Sequence, residues 1–304
     1  MAIGEATPIA GSRLRDWRGT ALAYLNLTKP RIIVLLLVTT VPAMILAEGG
    51  LPSLWLVLAT LAGGAIAAGG ANAMNCYFDR DIDGVMARTR GRPVPSGRIE
   101  PERAAVMGII LGGTGFLVLE LFVNLLAAFL TLGAFAFYVV VYTLLLKRTT
   151  PLNIVIGGAA GAVPPVVGWA AVTGEVGLAA VGMFAIVFFW TPPHFWALAL
   201  NYNLDYQRAH VPMLPAVVGR EETGRQILLH TVALVAASLL LPASGATGAV
   251  YLAAALALGG LFIFYSLRLL RDTSAKAAST LFRYSIIYLA LLFVAIAADG
   301  LAGV

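Results

Sequence analysis

Cysteine, histidine and charge are all scarce in this chain. Of its 304 residues one is cysteine, three are histidine and 12% are charged. A lone Cys76 excludes a disulfide framework within the chain and a cysteine-built zinc site. So little charge excludes an ordinary soluble domain, in which about 25% of residues are charged. Arg13, Arg15 and Arg18 precede any apolar run, which starts only near Ile32, and no small-residue cleavage pattern follows. No cleaved signal peptide is therefore expected.

Apolar residues are what the chain has in abundance, at 60% of the total with a mean hydropathy of +0.89. That composition describes an all-α polytopic membrane protein. A bilayer core about 30 Å thick calls for spans of roughly twenty residues. They are expected near 31–48, 53–75, 103–121, 125–146, 151–173, 177–200, 226–242, 248–267 and 280–299. Residues 1–30 then form a leading segment, and 31–300 form one transmembrane domain of nine helices around a central cavity. The apolar run from Arg103 to Leu146 is too long for one span, and Glu120 with Asn124 marks a tight hairpin within it. Pro164-Pro165 interrupts the fifth span, a break that membrane helices tolerate when neighbours satisfy the freed backbone.

The charges alternate from loop to loop. Arg13, Arg15, Arg18, Lys29 and Arg31 precede the first span, Arg80 to Arg103 fall between two and three, and Lys147 and Arg148 between four and five. Arg208, Arg220 and Arg225 follow between six and seven, and Arg268, Arg271, Lys276 and Arg283 between eight and nine. The opposite loops carry only Glu48, Glu120, Glu175 and Asp299. The positive-inside rule places the N-terminus in the cytoplasm and the C-terminus across the membrane. The net charge of +5 is dispersed among these short loops, so it indicates topology and no nucleic-acid partner.

Chemistry concentrates between Asn75 and Pro101. Asn75, Asp79 and Asp83 recur every four residues, so on a helix continuing from the preceding span their side chains share a face. Like carboxylates at that spacing repel unless something positive sits between them. Mg²⁺ shared with a phosphorylated substrate answers that need. Arg88, Arg90, Arg92 and Arg98 follow, suited to the phosphate oxygens that the metal leaves free. Asp81 points from another face and reads as a solvated loop residue. A second patch, Asn201 and Asp205, ends the sixth span, with Arg208 beyond it. Lys147-Arg148 lies in a turn on the same side, either a plain topological anchor or a clamp on a diphosphate leaving group. Asn75-x-x-x-Asp79 and Asn201-x-x-x-Asp205 stand four helices apart, a faint repeat that sets the two patches across from each other at the cavity mouth. Glycines at 63–64, 69–70 and 157–161 let helices approach closely.

The Asn-x-x-x-Asp-x-x-x-Asp segment, the later Asp-bearing segment and nine apolar spans together resemble the intramembrane UbiA-type prenyltransferases. Asn75 to Asp83, Tyr142 to Arg148, Asn153 to Gly158, Pro164-Pro165 with Gly168-Trp169, and Asp205 to Pro215 are most similar to the heme-farnesylating branch of that family. The likeness runs from about Leu25 to Pro215, and the last three spans are generic. Many family members with other acceptors carry two aspartates in the second motif, where this chain has Asn201 before Asp205.

The resemblance implies transfer of a farnesyl group from farnesyl diphosphate to a vinyl group of heme B, with water adding. It implies Mg²⁺ on Asp79, Asp83 and Asp205, with Asn75 and Asn201 as further oxygen donors, and Arg88, Arg92, Lys147, Arg148 and Arg208 on the diphosphate. It also implies a bacterial plasma membrane as the setting, and a downstream heme-modifying enzyme or terminal oxidase as recipient of the product. His194, beside Pro192-Pro193, is either a heme iron ligand, a group that orients the propionates, or a structural histidine bonded to a backbone carbonyl at the proline break. His210 reads as a surface residue and His230 as a packing residue. The competing readings are a prenyltransferase acting on an aromatic acid or a chlorin, a transporter, and an assembly factor. Acids gathered at one mouth with arginines beside them argue against transport.

Overall fold

The computed structural model describes residues 17–272 and 274–303, apart from the side chains of residues 31, 32 and 35–37. Arg13 and Arg15, and the side chain of Arg31, lie outside the described residues. The chain runs α1 (Trp17–Leu27), α2 (Pro30–Glu48), α3 (Leu54–Phe78), α4 (Arg80–Val85), α5 (Pro101–Phe122) and α6 (Leu125–Leu146). It continues through α7 (Asn153–Thr173), α8 (Leu178–Ala199), α9 (Asn203–Arg208), α10 (Leu214–Ser238), α11 (Leu240–Ala243), α12 (Ala249–Arg271) and α13 (Ala275–Ala302). Among the described residues eight helical stretches are long and apolar enough to cross a membrane, and α2, of 19 residues, takes the place of the first expected span.

Four helices close a ring: α2 packs on α7, α7 on α8, α8 on α13 and α13 on α2. To one side α3, α5 and α6 pack in sequence, with α6 resting on α7; to the other, α10 and α12 pack against α8 and α13. Lipid offers no hydrophobic drive for this association, so close packing of small residues supplies it. At Gly70 of α3 a Cβ would come within 2.7 Å of the Gly108 carbonyl oxygen of α5. Only a hydrogen fits there.

The hairpin at Asn124 forms as its sequence implies. Asn124 accepts from the Ala127 amide at 2.8 Å and so caps α6, while its amide group donates to the Ala170 carbonyl on α7 at 2.8 Å. α7 runs through Pro164-Pro165 and α8 through Pro192-Pro193 without ending. The seventh span begins at Leu214, well before the expected residue 226. Residues 220–226 of that extension are polar, and Arg225–Glu221 (2.6 Å) and Gln226–Glu222 (2.9 Å) pairs hold them helical where hydropathy gives no signal. Gly219, at φ 81°, breaks the helix inside that extension.

Asp299 departs from its expected place in a loop. It lies on α13, 1% exposed, and accepts from the backbone amides of Gly248 (2.6 Å) and Tyr251 (3.1 Å) at the start of α12.

Candidate functional site

The α3–α4 junction, the α6–α7 turn, the segment after Met86, α9 and the start of α13 meet at one end of the bundle. α3 continues to Phe78, so Asn75 faces Asp79 one turn on, and the Asn75 amide group donates to Asp79 Oδ2 at 2.7 Å. The backbone stays nearly helical into α4, with the Asp83 amide donating to the Asp79 carbonyl at 2.7 Å. Asp79 and Asp83 are thus stacked and buried, 0% and 2% exposed. Their repulsion is relieved by separate cations. Lys147 pairs with Asp79 Oδ2, and Arg92 with Asp83 Oδ2 at 2.6 Å.

Lys147 is delivered by an unusual piece of backbone. The second half of α6, Phe137–Leu146, is a π-helix, and the Lys147 amide donates to the Tyr142 carbonyl five residues back. Such segments are rare outside single turns and frequent at functional sites. The same wide turns bring Thr143 to the Asn75 amide at 3.2 Å. Burial depresses the Lys147 ammonium, but Asp79 and Tyr142 more than offset this and hold it above its ordinary range. Arg92 follows the same balance: burial lowers it, Asp83 raises it, and the net direction is upward.

A second lysine enters unannounced. Lys29, at the α1–α2 corner with φ 53°, donates to Asn75 Oδ1 at 2.8 Å. Burial brings it down to about 8; Cys76 pulls upward against this, Arg92 and Lys147 add to the lowering, and Asp83 gives a smaller upward pull. The sequence marks Lys29 only as a topological charge; its left-handed backbone, costly for a side-chain-bearing residue, is the structural sign of a constrained position. Asp79 Oδ1 is buried with no hydrogen-bond partner among the described residues.

Arg148 and Arg98 are engaged elsewhere. Arg148 makes a two-pronged contact with Asp81 (2.7 and 2.7 Å) and donates to the Phe78 carbonyl at 2.9 Å. That contact holds the Asp81 carboxyl down at about 2. Arg98 bonds Ser96 and the Gly91 carbonyl within its own loop.

The second patch differs in geometry from the first. α8 ends at Ala199, so Asn201 and Asp205 are not on one helix and their four-residue spacing does not stack them. Asn201 is exposed and donates to Ser279 Oγ at 2.9 Å. Asp205, 8% exposed, accepts from the Arg88 backbone amide at 3.3 Å, which ties the two patches together. Arg88 lies over the Tyr202 ring at 5.6 Å. Arg88, Arg208, Arg220, Asn201, Asn203 and Asp205 line a cavity of about 720 Å³. Asn203 Oδ1 is buried there without a partner, a group the sequence did not single out.

Among the described residues no three acidic, histidine or cysteine side chains gather closely enough to hold a metal unaided. Mg²⁺ needs no such cage, since it commonly takes one or two carboxylates and completes its shell with water and substrate phosphate. Asp79 and Asp83, one with an oxygen left unpartnered, fit that demand. Asn75 fits a different one. Its amide group is spent on Asp79 and Thr143 and its oxygen on Lys29, so it orients the carboxylate beside it.

The UbiA prenyltransferase family pattern matches residues 36–295. A protoheme IX farnesyltransferase from Roseiflexus sp. (strain RS-1) is 53% identical over 91% of this chain, which spans only about half (52%) of that relative's length. Protoheme IX farnesyltransferase 1 of Saccharopolyspora erythraea is 56% identical over 94% of this chain and 92% of its own. Among solved structures, a UbiA homolog from Archaeoglobus fulgidus bound to GPP and Mg²⁺ superposes with a TM-score of 0.61 at 18% identity, covering 90% of this chain and 99% of that one.

Proposed function

This chain belongs to the UbiA prenyltransferase family, and from that footing we propose that it transfers the farnesyl group of farnesyl diphosphate to a vinyl group of heme B, with addition of water, giving heme O and diphosphate. The observation that carries the diphosphate half is the buried Asp79, paired with Lys147 through one oxygen and unpartnered at the other. The heme half is supported by the likeness to the Saccharopolyspora relative along nearly its whole length.

Asp79 and Asp83 would hold Mg²⁺ with the diphosphate, and Asp205 would close the site from the second patch. The ion supplies positive charge against the negative charge that builds on the departing diphosphate. Lys147, Arg92 and Lys29 stand around the same carboxylates and supply the rest of that charge. Arg88 and Arg208 approach from the second patch. Arg148, fastened to Asp81, fixes the α6–α7 turn against α4 and keeps Lys147 in place.

Breaking the allylic C–O bond leaves diphosphate and a farnesyl cation. The vinyl terminal carbon of the heme attacks it, forming the new C–C bond, and the cation passes to the carbon beside the porphyrin. Water adds there and loses a proton. No protein nucleophile is required. The basic loops support a site on the cytoplasmic face with the N-terminus inside, the bacterial relatives support a plasma membrane as the setting, and the heme O formed would pass to a heme-modifying enzyme or terminal oxidase.

The test is turnover by purified protein in lipid, offered farnesyl diphosphate and heme B with and without Mg²⁺, with the heme product followed by mass. A farnesylated, hydrated heme that disappears on chelation and in Asp79→Ala is expected. Transfer only to another aromatic or tetrapyrrole acceptor would overturn the heme assignment, and no Mg²⁺-dependent transfer to any acceptor would overturn the whole reading.

A further inference from the structure

The cavity beside α9 carries more positive charge than the residues around it use. Arg88, Arg208 and Arg220 converge on its volume of about 720 Å³, where the carboxylate of Asp205 faces them. That carboxylate accepts from the Arg88 backbone amide at 3.3 Å and enters no ion pair among the described residues. Nor do the Arg88 and Arg208 guanidinium groups. Arg220 is fixed at the end of α8 by donating to the Leu200 carbonyl at 3.1 Å, and the glutamates that follow it, Glu221 and Glu222, pair with Arg225.

The first patch is built the other way. There Asp79 and Asp83 each have a cation of the protein's own, Lys147 and Arg92. In the second cavity three arginines meet one carboxylate, an excess of two positive charges. The positive-inside rule explains arginines on this side of the membrane, but not their convergence on one hollow. Such a hollow suits an anion with about two negative charges.

A heme carries that charge on one edge only. Its two propionates lie side by side, while the vinyl groups project from the apolar remainder of the ring. Ionised groups are expensive at membrane depth, so the propionate edge belongs at the mouth and the vinyl edge inside the bundle. The planar fork of arginine matches a carboxylate. The same cavity offers a flat apolar ring something to cover, in Leu200, Leu204 and the Tyr202 ring that lies 5.6 Å from the Arg88 guanidinium. His194 offers no competing anchor: its ring is closed between Trp190 (4.3 Å) and Phe282 (4.7 Å), and its Nδ1 meets the Ser285 hydroxyl at 2.7 Å, not a backbone carbonyl.

We infer that Arg208 and Arg220 bind the propionates of the acceptor and thereby decide which edge of the tetrapyrrole meets the allylic cation. This rests on the proposal that the acceptor is heme B. It assigns Arg208 to the acceptor and leaves Arg88, whose backbone is tied to Asp205, at the border with the diphosphate.

The experiment is steady-state turnover by the full-length protein in phosphatidylcholine vesicles, with farnesyl diphosphate, Mg²⁺ and either heme B or its dimethyl ester, whose propionates are uncharged. The wild type should show a KM about tenfold or more higher for the ester, the scale of losing a hydrogen bond to a charged group. Arg208→Gln and Arg220→Gln should each raise KM for heme B by a similar factor and leave KM for the ester and for farnesyl diphosphate near wild type, so that the preference for heme B disappears. Arg208 makes no hydrogen bond among the described residues, so its loss removes no contact of the fold, and Arg208→Lys should recover part of the preference. Arg220→Lys, which keeps the charge, controls for the Leu200 contact and should recover part as well. A preference for heme B that survives both glutamine variants, or equal KM for heme B and ester in the wild type, would overturn the assignment. A rise in KM for farnesyl diphosphate alone would return both arginines to the diphosphate. A wild type that farnesylates another acceptor and neither heme would sink the acceptor proposal and this inference with it, a result read before any variant is made.

Discussion

The Lys147 ammonium and the Asp79 carboxylate form an ion pair that is nearly sealed from water, the side chains being 13% and 0% exposed. Removing one partner of a buried pair leaves the other charge uncompensated, at a cost of about 3–5 kcal/mol. Lys147→Met should therefore lower thermal stability strongly. Lys147→Met combined with Asp79→Asn should recover most of it, because both charges leave together. Neither should turn over. Unfolding of the four-member cycle in detergent measures the coupling, and a Lys147→Met protein as stable as the wild type would show that the pair is not buried as described.

The same pairing would govern how the proposed Mg²⁺ enters. Asp79 and Asp83 are already neutralised by Lys147 and Arg92, so Mg²⁺ alone competes with two resident cations. A bound diphosphate would draw those cations toward itself and free carboxylate oxygen for the ion. Binding should be cooperative: calorimetry should show weak Mg²⁺ affinity without diphosphate and an affinity about tenfold higher or more with it, within the usual range of coupling between sites. Equal Mg²⁺ affinity in both conditions would remove the competition.

Asp205 and Asn201 look alike in sequence and differ in place. Asp205 is buried and touches the Arg88 backbone, whereas Asn201 is exposed and its side chain donates to Ser279. Asp205→Ala should reduce kcat/KM by about 100-fold or more, the scale of losing one electrostatic contact to the reacting groups. Asn201→Ala should stay within about threefold of wild type, in line with the small net worth of a single exposed hydrogen bond. Steady-state kinetics with both substrates separates them, and matching losses would make Asn201 a ligand after all.

Why the two motifs fold differently is physical. Four-residue spacing places side chains on one face only while the helix continues, and α3 continues past Asn75 whereas α8 stops at Ala199, before Asn201. Nothing in the local composition marks that stop. The spans were legible because apolar length is a requirement of the bilayer, and the Asn124 hairpin because a capping side chain is a local signal. Two features were not legible. The π-helix of Phe137–Leu146 has no composition of its own, and Lys29 reaches Asn75 through a corner between α1 and α2 that only the folded chain defines. The polar stretch of α10 at residues 220–226 hid from hydropathy because side-chain pairs, and not apolar residues, hold it helical.

Asp299 gives a prediction that separates stability from catalysis. The N-terminus of α12 begins at Gly248, which has no side chain to cap it, and Asp299 supplies the missing acceptor from α13 to the amides of Gly248 and Tyr251. A carboxylate there also meets the positive end of the helix dipole. Loss of a cap costs about 0.5–2 kcal/mol, so Asp299→Ala should unfold at lower temperature while KM for farnesyl diphosphate and heme stays unchanged. Asp299→Asn keeps an acceptor oxygen and should lose less. If Asp299→Ala changed KM at wild-type stability, the residue would belong to a substrate path and not to the cap; the short distances to both amides, at the opposite end of α13 from Ser279, argue for the cap.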